Sequence, residues 1–385
     1  MIRSLTLPRL AVGTALAAIA AAGSAHAGAL EQVVPSTIRL LYEEGRYVEF
    51  NAVYADPDQS GDGINVPPNP ALPDGGFFPG NTGDIFDSSW NFSGAYKADL
   101  NDRFSYFLGF DQPYTANTNY GAGSFAFPFY QGTIADFDTY QLTAVLSYDL
   151  TPAVKIFGGA RAQQLEAVAA VPLASNYRND ADAEWGYGYL LGAAYERPEI
   201  ALRVALTYYS SISYDLSTAE SIVPFGSNTR VTQHTITDLE TPQSVQLDFQ
   251  TGVAPKTLVF GYVRWVDWSE FDVSPPVFDQ VVRAPLVEYE SDAWTYNLGI
   301  GRQLTDKLAG SFAITYEPDT GDVMPTQGPY DGQTTGTLGL SYDYGKWKFS
   351  GGVSYGVLGD AKNNLGTDFN DGSVWGAGLR VAYSF

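Results

Sequence analysis

The chain has 385 residues, a formal net charge of −22, no cysteine and two histidines. That excludes a disulfide scaffold and thiolate metal sites, leaves little imidazole for a triad or a His-rich metal site, and withholds the basic footprint that nucleic acid requires. Forty glycines and 26 tyrosines argue against a helical bundle or a disordered chain and suit many strands with aromatic belts.

Residues 1–27, "MIRSLTLPRLAVGTALAAIAAAGSAHA", carry Arg3 and Arg9, an apolar run and then Ala25-His26-Ala27. This is the pattern of a secretory signal peptide. The apolar run, 10–22, is short for a membrane span of about 20 residues. Its removal takes His26 and two of the 21 basic residues, so His234 stays as the single imidazole. The next segment, 28–45, mixes Leu30, Val33, Val34, Ile38, Leu40 and Leu41 with polar residues, which a disordered tail would not do. Two readings stand: a plug folded into a barrel lumen, or a small helix packed against a rim.

From Arg46 onward one theme repeats: an alternating run of about ten residues, a tight turn, another run, then a long polar loop. The rhythm predicts strands at 46–55, 87–98, 103–111, 137–149, 153–167, 184–196 and 199–211. It then predicts 242–252, 256–268, 293–304, 307–316, 334–343, 346–357 and 374–385. Fourteen is even, so both ends of the sheet fall on one side, with short turns there and long loops opposite. That describes an all-β, transmembrane antiparallel barrel of the outer membrane of a Gram-negative bacterium.

Alternation also assigns faces. In 137–149, Tyr140, Leu142, Ala144, Leu146 and Tyr148 oppose Thr139, Gln141, Thr143 and Ser147. A charge facing lipid costs about 2–4 kcal/mol at the midplane, so the polar faces belong to the lumen. Tyr96, Phe104, Tyr148, Tyr195, Phe249, Tyr342 and Trp347 form the expected girdle near the short turns. The last strand ends on Phe385, at the edge where a closed barrel joins its first strand.

Three features go beyond architecture. The segment 28–45 is the first. The second is "FSYFLGFDQPYTANTNYG", where the third strand meets Gly109, Asp111 and Pro113; this is either a designed break in the wall or an ordinary strand end. The third is the lumen, where Arg161, Arg203, Arg380 and Lys348 fall on inward positions beside Glu49, Glu184, Asp248, Phe107 and Phe157. An apolar pocket with one or two cations suits a fatty carboxylate; the alternative is a lumen held by ion pairs. "DPDQSGDG", 56–63, resembles a calcium loop faintly, but Pro67 stands where the bidentate Glu belongs, so an acidic turn is expected. No cofactor motif or metal-ligand set emerges.

At this point a family resemblance enters. "TPQSVQLDFQTGVAPKTLVFGYVRWVDWSEF", 241–271, resembles the FadL/TodX-type outer-membrane transporters of long-chain fatty acids and other hydrophobic compounds. "YERPEIALRVALTY", 195–208, is similar to the family too, as are the "DQPY" exit of the third strand and the final Phe. The resemblance implies a fourteen-stranded barrel with an N-terminal plug, and passive uptake with lateral exit through a kink in the third strand, here Gly109, Asp111 and Pro113. The family's Asn-Pro-Ala plug motif is missing, and the segment before the first strand is short.

The expectation is therefore a signal peptide over 1–27, a plug segment over 28–45 and a barrel over 46–385. The protein would be a monomeric channel, not an enzyme, for a hydrophobic small molecule, a long-chain fatty acid first and an aromatic hydrocarbon otherwise. Its ligand contacts would come from Arg161, Arg203, Arg380, Phe107 and Phe157. Its other partners would be outer-membrane lipid, lipopolysaccharide and the barrel-assembly machinery. A general polar porin and a barrel lipid enzyme using His234 are the alternatives.

Overall fold

A computed structural model describes residues 30–31, 37–66, 74–121 and 130–385. The expected signal peptide lies outside them. Alternating apolar and polar residues build one antiparallel wall whose outer face is apolar. Taken along the chain, β1 (Tyr47–Val66) is followed by the short β2 (Gly76–Asn81), then β3 (Ser89–Asp99), β4 (Phe104–Asp111), β5 (Thr115–Asn119), β6 (Ile134–Thr151), β7 (Val154–Val171) and β8 (Tyr177–Arg197). Then come β9 (Leu202–Tyr209), β10 (Ile212–Ile222), β11 (Val231–Thr241), β12 (Ser244–Ala254) and β13 (Thr257–Val266). Two-residue strands β14 (Asp272–Val273) and β15 (Val287–Glu288) precede β16 (Ala293–Gln303) and β17 (Leu308–Glu317). The chain ends with β18 (Val323–Met324), β19 (Gln333–Tyr344), β20 (Trp347–Leu358), β21 (Ala361–Asn363) and β22 (Asp368–Ser384).

β4 with β5, β9 with β10, and β11 with β12 are each one staff of the wall, bent where the pairing changes partner. Around the circumference the wall has fourteen positions, and β22 closes it onto β1 from Tyr47↔Ser384 upward. The Phe385 amide then donates to the Arg46 carbonyl at 3.0 Å, so closure extends to that residue. Among the described residues no helix is long and apolar enough to cross a membrane; strands do the crossing.

The faces fall as alternation requires. Leu142, Leu146, Phe349, Val353, Trp375 and Leu379 are exposed outward, while Thr139, Gln141, Thr143, Ser350 and Arg380 are buried inward. Aromatic rings gather at both edges of this apolar band: Phe104 with Tyr148 and Trp347 with Tyr383 near the short turns, Tyr54 with Trp90 and Tyr355 with Trp375 near the loops. Such rings sit well where apolar lipid meets water.

Three expectations on the loop side change. The segment 56–63 is strand, not turn: Asp56, Pro57 and Asp58 continue the β1–β22 ladder, with an irregularity beside Gln59. Pro57 is tolerated because the β1–β3 ladder ends at Ala55↔Ser89, leaving an edge. The long loop expected between 167 and 184 shrinks to 172–176, because β7 and β8 run on past the apolar band. The region 212–241 is likewise mostly the hairpin β10–β11. Strand pairing there satisfies backbone groups that a polar loop would leave to water, and composition alone does not distinguish the two.

The loop end is tied together by buried polar contacts. Glu220, fully buried, accepts hydrogen bonds from the Val277 and Phe278 amides (3.0 and 3.1 Å) and from the Tyr177 hydroxyl (2.9 Å), pinning the helix Pro276–Val282 across the mouth. Tyr120 donates to the Thr326 carbonyl at 2.8 Å and stacks on Tyr130, which joins the top of the third staff to 318–332.

Candidate functional site: the lumen, its N-terminal segment and a broken seam

The described residues of the N-terminal segment lie inside the barrel at two levels. Near the short turns, the helix Thr37–Leu40 leads Leu40 and Leu41 into a cluster with Phe107, Val145, Phe157, Leu190 and Ala205, all inward residues of the wall. Arg39 forks onto the Glu49 carboxylate, which also accepts from the Tyr47 hydroxyl at 2.8 Å. Lys155 donates to the Leu41 carbonyl at 2.9 Å, and Arg203 lies 4.3 Å over the Tyr42 ring.

At the upper level, Glu31 receives the guanidinium of Arg264 through two hydrogen bonds, Nε to Oε2 at 2.9 Å and Nη2 to Oε1 at 2.5 Å. Both side chains are almost wholly buried, 2 % exposed for Arg264 and 1 % for Glu31. A buried pair of this kind stands only when both charges are present and well bonded. The same stretch touches the third staff: the Thr115 amide donates to the Leu30 carbonyl at 2.9 Å, and Glu31 bridges Tyr114.

That contact lies at a broken seam. β3 and β4 pair from Asp99↔Ser105 up to Gly94↔Phe110 and no further. Strand-like contact resumes only higher up, where the Asp87 amide donates to the Asn117 carbonyl at 3.0 Å. Between these points stand Gln112 and Pro113; a proline has no amide to give the ladder. Side chains substitute for the missing backbone pairing. Asn91 Nδ2 donates to the Gln112 carbonyl at 2.7 Å, and the Phe92 amide donates to Gln112 Oε1 at 2.8 Å. On the other flank Thr139 serves Tyr114, accepting from its amide at 2.9 Å and donating to its carbonyl at 2.8 Å. Trp90, Phe92 and Phe110 are exposed outward around the seam, and Phe110 stacks on Tyr140.

The expected lumen residues divide between these levels. Arg161 sits beside the seam: its Nε donates to Gln141 Oε1 and its Nη1 to the Ser210 carbonyl, each at 3.0 Å. Gln141 in turn donates to Asp111 at 3.0 Å, so Arg161 and Asp111 share one network. Phe107, Phe157 and Arg203 lie lower, against the N-terminal segment. Arg380 is buried at that level's wall and donates to the Ser350 hydroxyl at 3.0 Å. Lys348 reaches Asp343 at 4.0 Å. Arg161 also reaches the lower cluster, lying 5.5 Å over the ring of Tyr209, which packs there with Phe107 and Phe157.

Gly109 needs correction as a break residue, because it pairs with both Ala95 and Thr143. Asp111 pairs with Gln141 on the β6 flank and with nothing on β3, so the interruption facing β3 begins there and continues through Gln112 and Pro113. A glycine keeps its amide; the proline does not.

A recess opens at the loop end, with about 480 Å³ of empty space continuous with the outside. Its walls include Trp268, Tyr289, Met324 and Tyr330, and Asp292 and Asp331 stand among them. Tyr114 meets Trp268 edge-on at 5.9 Å, so the recess lies one ring from the seam. Burial works against the Asp292 charge, but hydrogen bonds from the Ser269 hydroxyl and the Trp265 indole hold its carboxyl below the usual range.

A family model for outer membrane protein transport proteins (OMPP1/FadL/TodX) matches residues 9–356. The chain belongs to that family. Its fold is shared by a FadL homologue of Pseudomonas aeruginosa, at 16% identity over 90% of this chain and 92% of that one, TM-score 0.70. The Pseudomonas putida toluene transporter TodX is similar at 12% identity over 94% and 96%, TM-score 0.64. The Ralstonia pickettii toluene transporter TbuX is similar at 14% identity over 90% and 91%, TM-score 0.61. At such identities the structures show a common fold. No curated protein matches the chain. As a FadL/TodX-family member it is an outer-membrane channel for hydrophobic compounds, in a family of transporters and not enzymes.

Several residues of this FadL/TodX-family lumen escaped the sequence reading. Arg264 lies inside the quoted "VRWVDWSEF", and alternation places it inward with Phe260 and Val266; that signal was available. Glu31 had none, since its partner is 233 positions away. Gln112 was hidden because its role depends on Asn91 and Phe92 across the seam.

Proposed function

We propose that this channel takes up hydrophobic small molecules passively and releases them sideways into the membrane through the seam at Gln112 and Pro113. The observation that carries the reading is the interrupted β3–β4 ladder, spanned by side-chain hydrogen bonds and rimmed outside by Trp90, Phe92 and Phe110. A hydrophobic solute regains about 0.8 kcal/mol per CH₂ by entering hydrocarbon instead of water, so an opening to lipid is its favoured exit. The N-terminal segment supports the reading, because its described residues pack against inward residues of the wall at two levels, where a polar porin needs an open eyelet. It acts as a plug, fastened by Arg39–Glu49 below and Glu31–Arg264 above.

The cargo classes to test are long-chain fatty acids, to which the sequence resemblance points, and the toluene carried by TodX and TbuX. Because the chain has no cysteine, an Asn91→Cys/Gln112→Cys double variant can be closed by a disulfide or a short bis-maleimide. Uptake of labelled oleate and toluene by cells carrying the closed variant should fall to background and recover on reduction of the disulfide. Wild-type uptake in the closed state would rule out the lateral route.

A further inference from the structure

The apolar lining of the lumen is not continuous. Along β6 the inward side chains run Phe137, Thr139, Gln141, Thr143 and Val145. Along β7, Gln163 and Arg161 stand between Leu165 and Phe157, and along β13 Arg264 stands between Val266 and Phe260. Phe137, Leu165 and Val266 share one buried apolar cluster, Val145 and Phe157 a second, and Phe260 a third. The polar side chains between them are almost wholly buried and bonded together. Gln141 Oε1 accepts from Arg161 Nε at 3.0 Å and from Gln163 Nε2 at 3.2 Å, and the Gln141 amide donates to Asp111 at 3.0 Å. Further round the wall, Gln246 donates to Asp248 at 3.0 Å and accepts from Arg264 Nη1 at 3.4 Å. Arg161 and Arg264 each lie 5.5 Å over the ring of Tyr209, which joins the two halves. Glu31 extends the strip onto the N-terminal segment through its bonds to Arg264.

We infer that this strip is a polar belt forming the floor of the hydrophobic path, and that Arg161, Gln141, Gln163, Gln246 and Arg264 decide how deep an apolar solute travels. A hydrocarbon moving from the upper cluster to the lower ones has to part these hydrogen bonds and has none to give in exchange. Each group it displaces is left buried and unpaired, in a network where one lost member weakens the rest. The upper cluster offers it apolar contact with no such loss, so it stops on the belt. The belt meets the seam at Asp111, where pairing with β3 ends, so the halted solute stands at the height of the break. Its departure there rests on the lateral reading above; its arrest on the belt does not.

Depth-resolved photolabelling separates the two. Cells carrying the full-length chain with positions 91 and 112 cross-linked are given a diazirine-bearing alkane from outside and irradiated, and the purified protein is mapped by peptide mass spectrometry. Adducts on Phe137, Leu165 and Tyr214, above the belt, should outnumber those on Val145, Phe157 and Leu190, below it, at least tenfold. Gln246→Leu/Asp248→Leu replaces both members of one bonded pair by apolar groups of similar shape and should bring that ratio close to one. Arg161→Met/Gln163→Leu, which makes β7 apolar from Leu165 to Phe157, should do the same, with heat-modifiable mobility confirming a folded barrel in each case. An even distribution of adducts without these substitutions would overturn the belt. So would an unchanged ratio in both folded variants. If the label stays above the belt while the cross-linked chain still takes up the probe, the lateral route fails and the belt stands. If the label crosses the belt while uptake stops, the belt fails and the lateral route stands.

Discussion

Between β6 and β7 the ladder runs from Ile134↔Ala170 to Thr151↔Val154, with a single irregularity near the short turn. Between β3 and β4 it covers six residue pairs and stops at Gly94↔Phe110. Packing differs as sharply. A Cβ on Gly159, in the first seam, would meet the Ala144 carbonyl oxygen at 2.3 Å, whereas a Cβ on Gly109, beside the second, would find only the Gly94 carbonyl at 3.9 Å. Backbone groups in a membrane wall have no water to fall back on, so a continuous ladder is the default. The second seam shows the other solution, in which the side chains of Gln112 and Asn91 satisfy groups that the ladder abandons. Such a seam can part by breaking a few side-chain contacts, while the first can part only by unzipping strands.

The largest effect should come from the inner side of the broken seam. Glu31→Ala leaves Arg264 buried without its carboxylate, a loss of about 3–5 kcal/mol in seating the N-terminal segment. Single-channel recordings should show a raised conductance, with heat-modifiable mobility unchanged because the wall keeps its own ladders. A conductance equal to wild type would mean that the segment does not occlude the lumen.

Next comes the packing contrast. Gly159→Ala should destabilise the barrel by about 1–3 kcal/mol through overpacking, measured by urea unfolding in micelles. Gly109→Ala should stay within about 0.5 kcal/mol of wild type. Equal costs at the two positions would erase the distinction between the seams.

Gln112→Leu removes the acceptor of the Phe92 amide, a cost of about 1–3 kcal/mol to the closed seam. Uptake of a labelled apolar probe should rise several-fold while global unfolding barely moves. A fall in uptake would assign Gln112 to the path itself and not to its closure.

The smallest effect is at the recess. The Asp292 carboxyl is held below the usual range, so its contribution is present at neutral pH and is lost as the pH falls through that lowered value. Asp292→Asn should therefore differ slightly from wild type in unfolding midpoint at pH 7, and the two should converge in strong acid. A gap that widens on acidification would contradict the sign.

Much of the wall was legible in the sequence because period-2 alternation is a local property. Leu142, Leu146, Phe349 and Val353 declare lipid, and Thr139, Gln141 and Ser350 declare lumen, without reference to any other strand. Strand extent was less legible: β7, β8, β10 and β11 continue into polar sequence, where pairing and not burial decides the conformation. The break was readable at Pro113, which lacks an amide, but its start was misplaced at Gly109, which keeps one. The latches were the least legible. Glu31–Arg264 and Asn91–Gln112 join distant segments, and no local pattern marks one carboxylate or one amide among many as the partner.

The lateral route is tested most directly by where a moving ligand touches the protein. A photoreactive, diazirine-bearing apolar probe can be activated during uptake and its adducts mapped by peptide mass spectrometry. The account predicts adducts on Trp90, Phe92, Phe110 and Tyr140, the outer rim of the seam, and their disappearance when positions 91 and 112 are cross-linked. Adducts confined to residues at the short-turn end, Tyr42 and Phe157 for example, and unaffected by the cross-link would contradict it and place the exit in the periplasm.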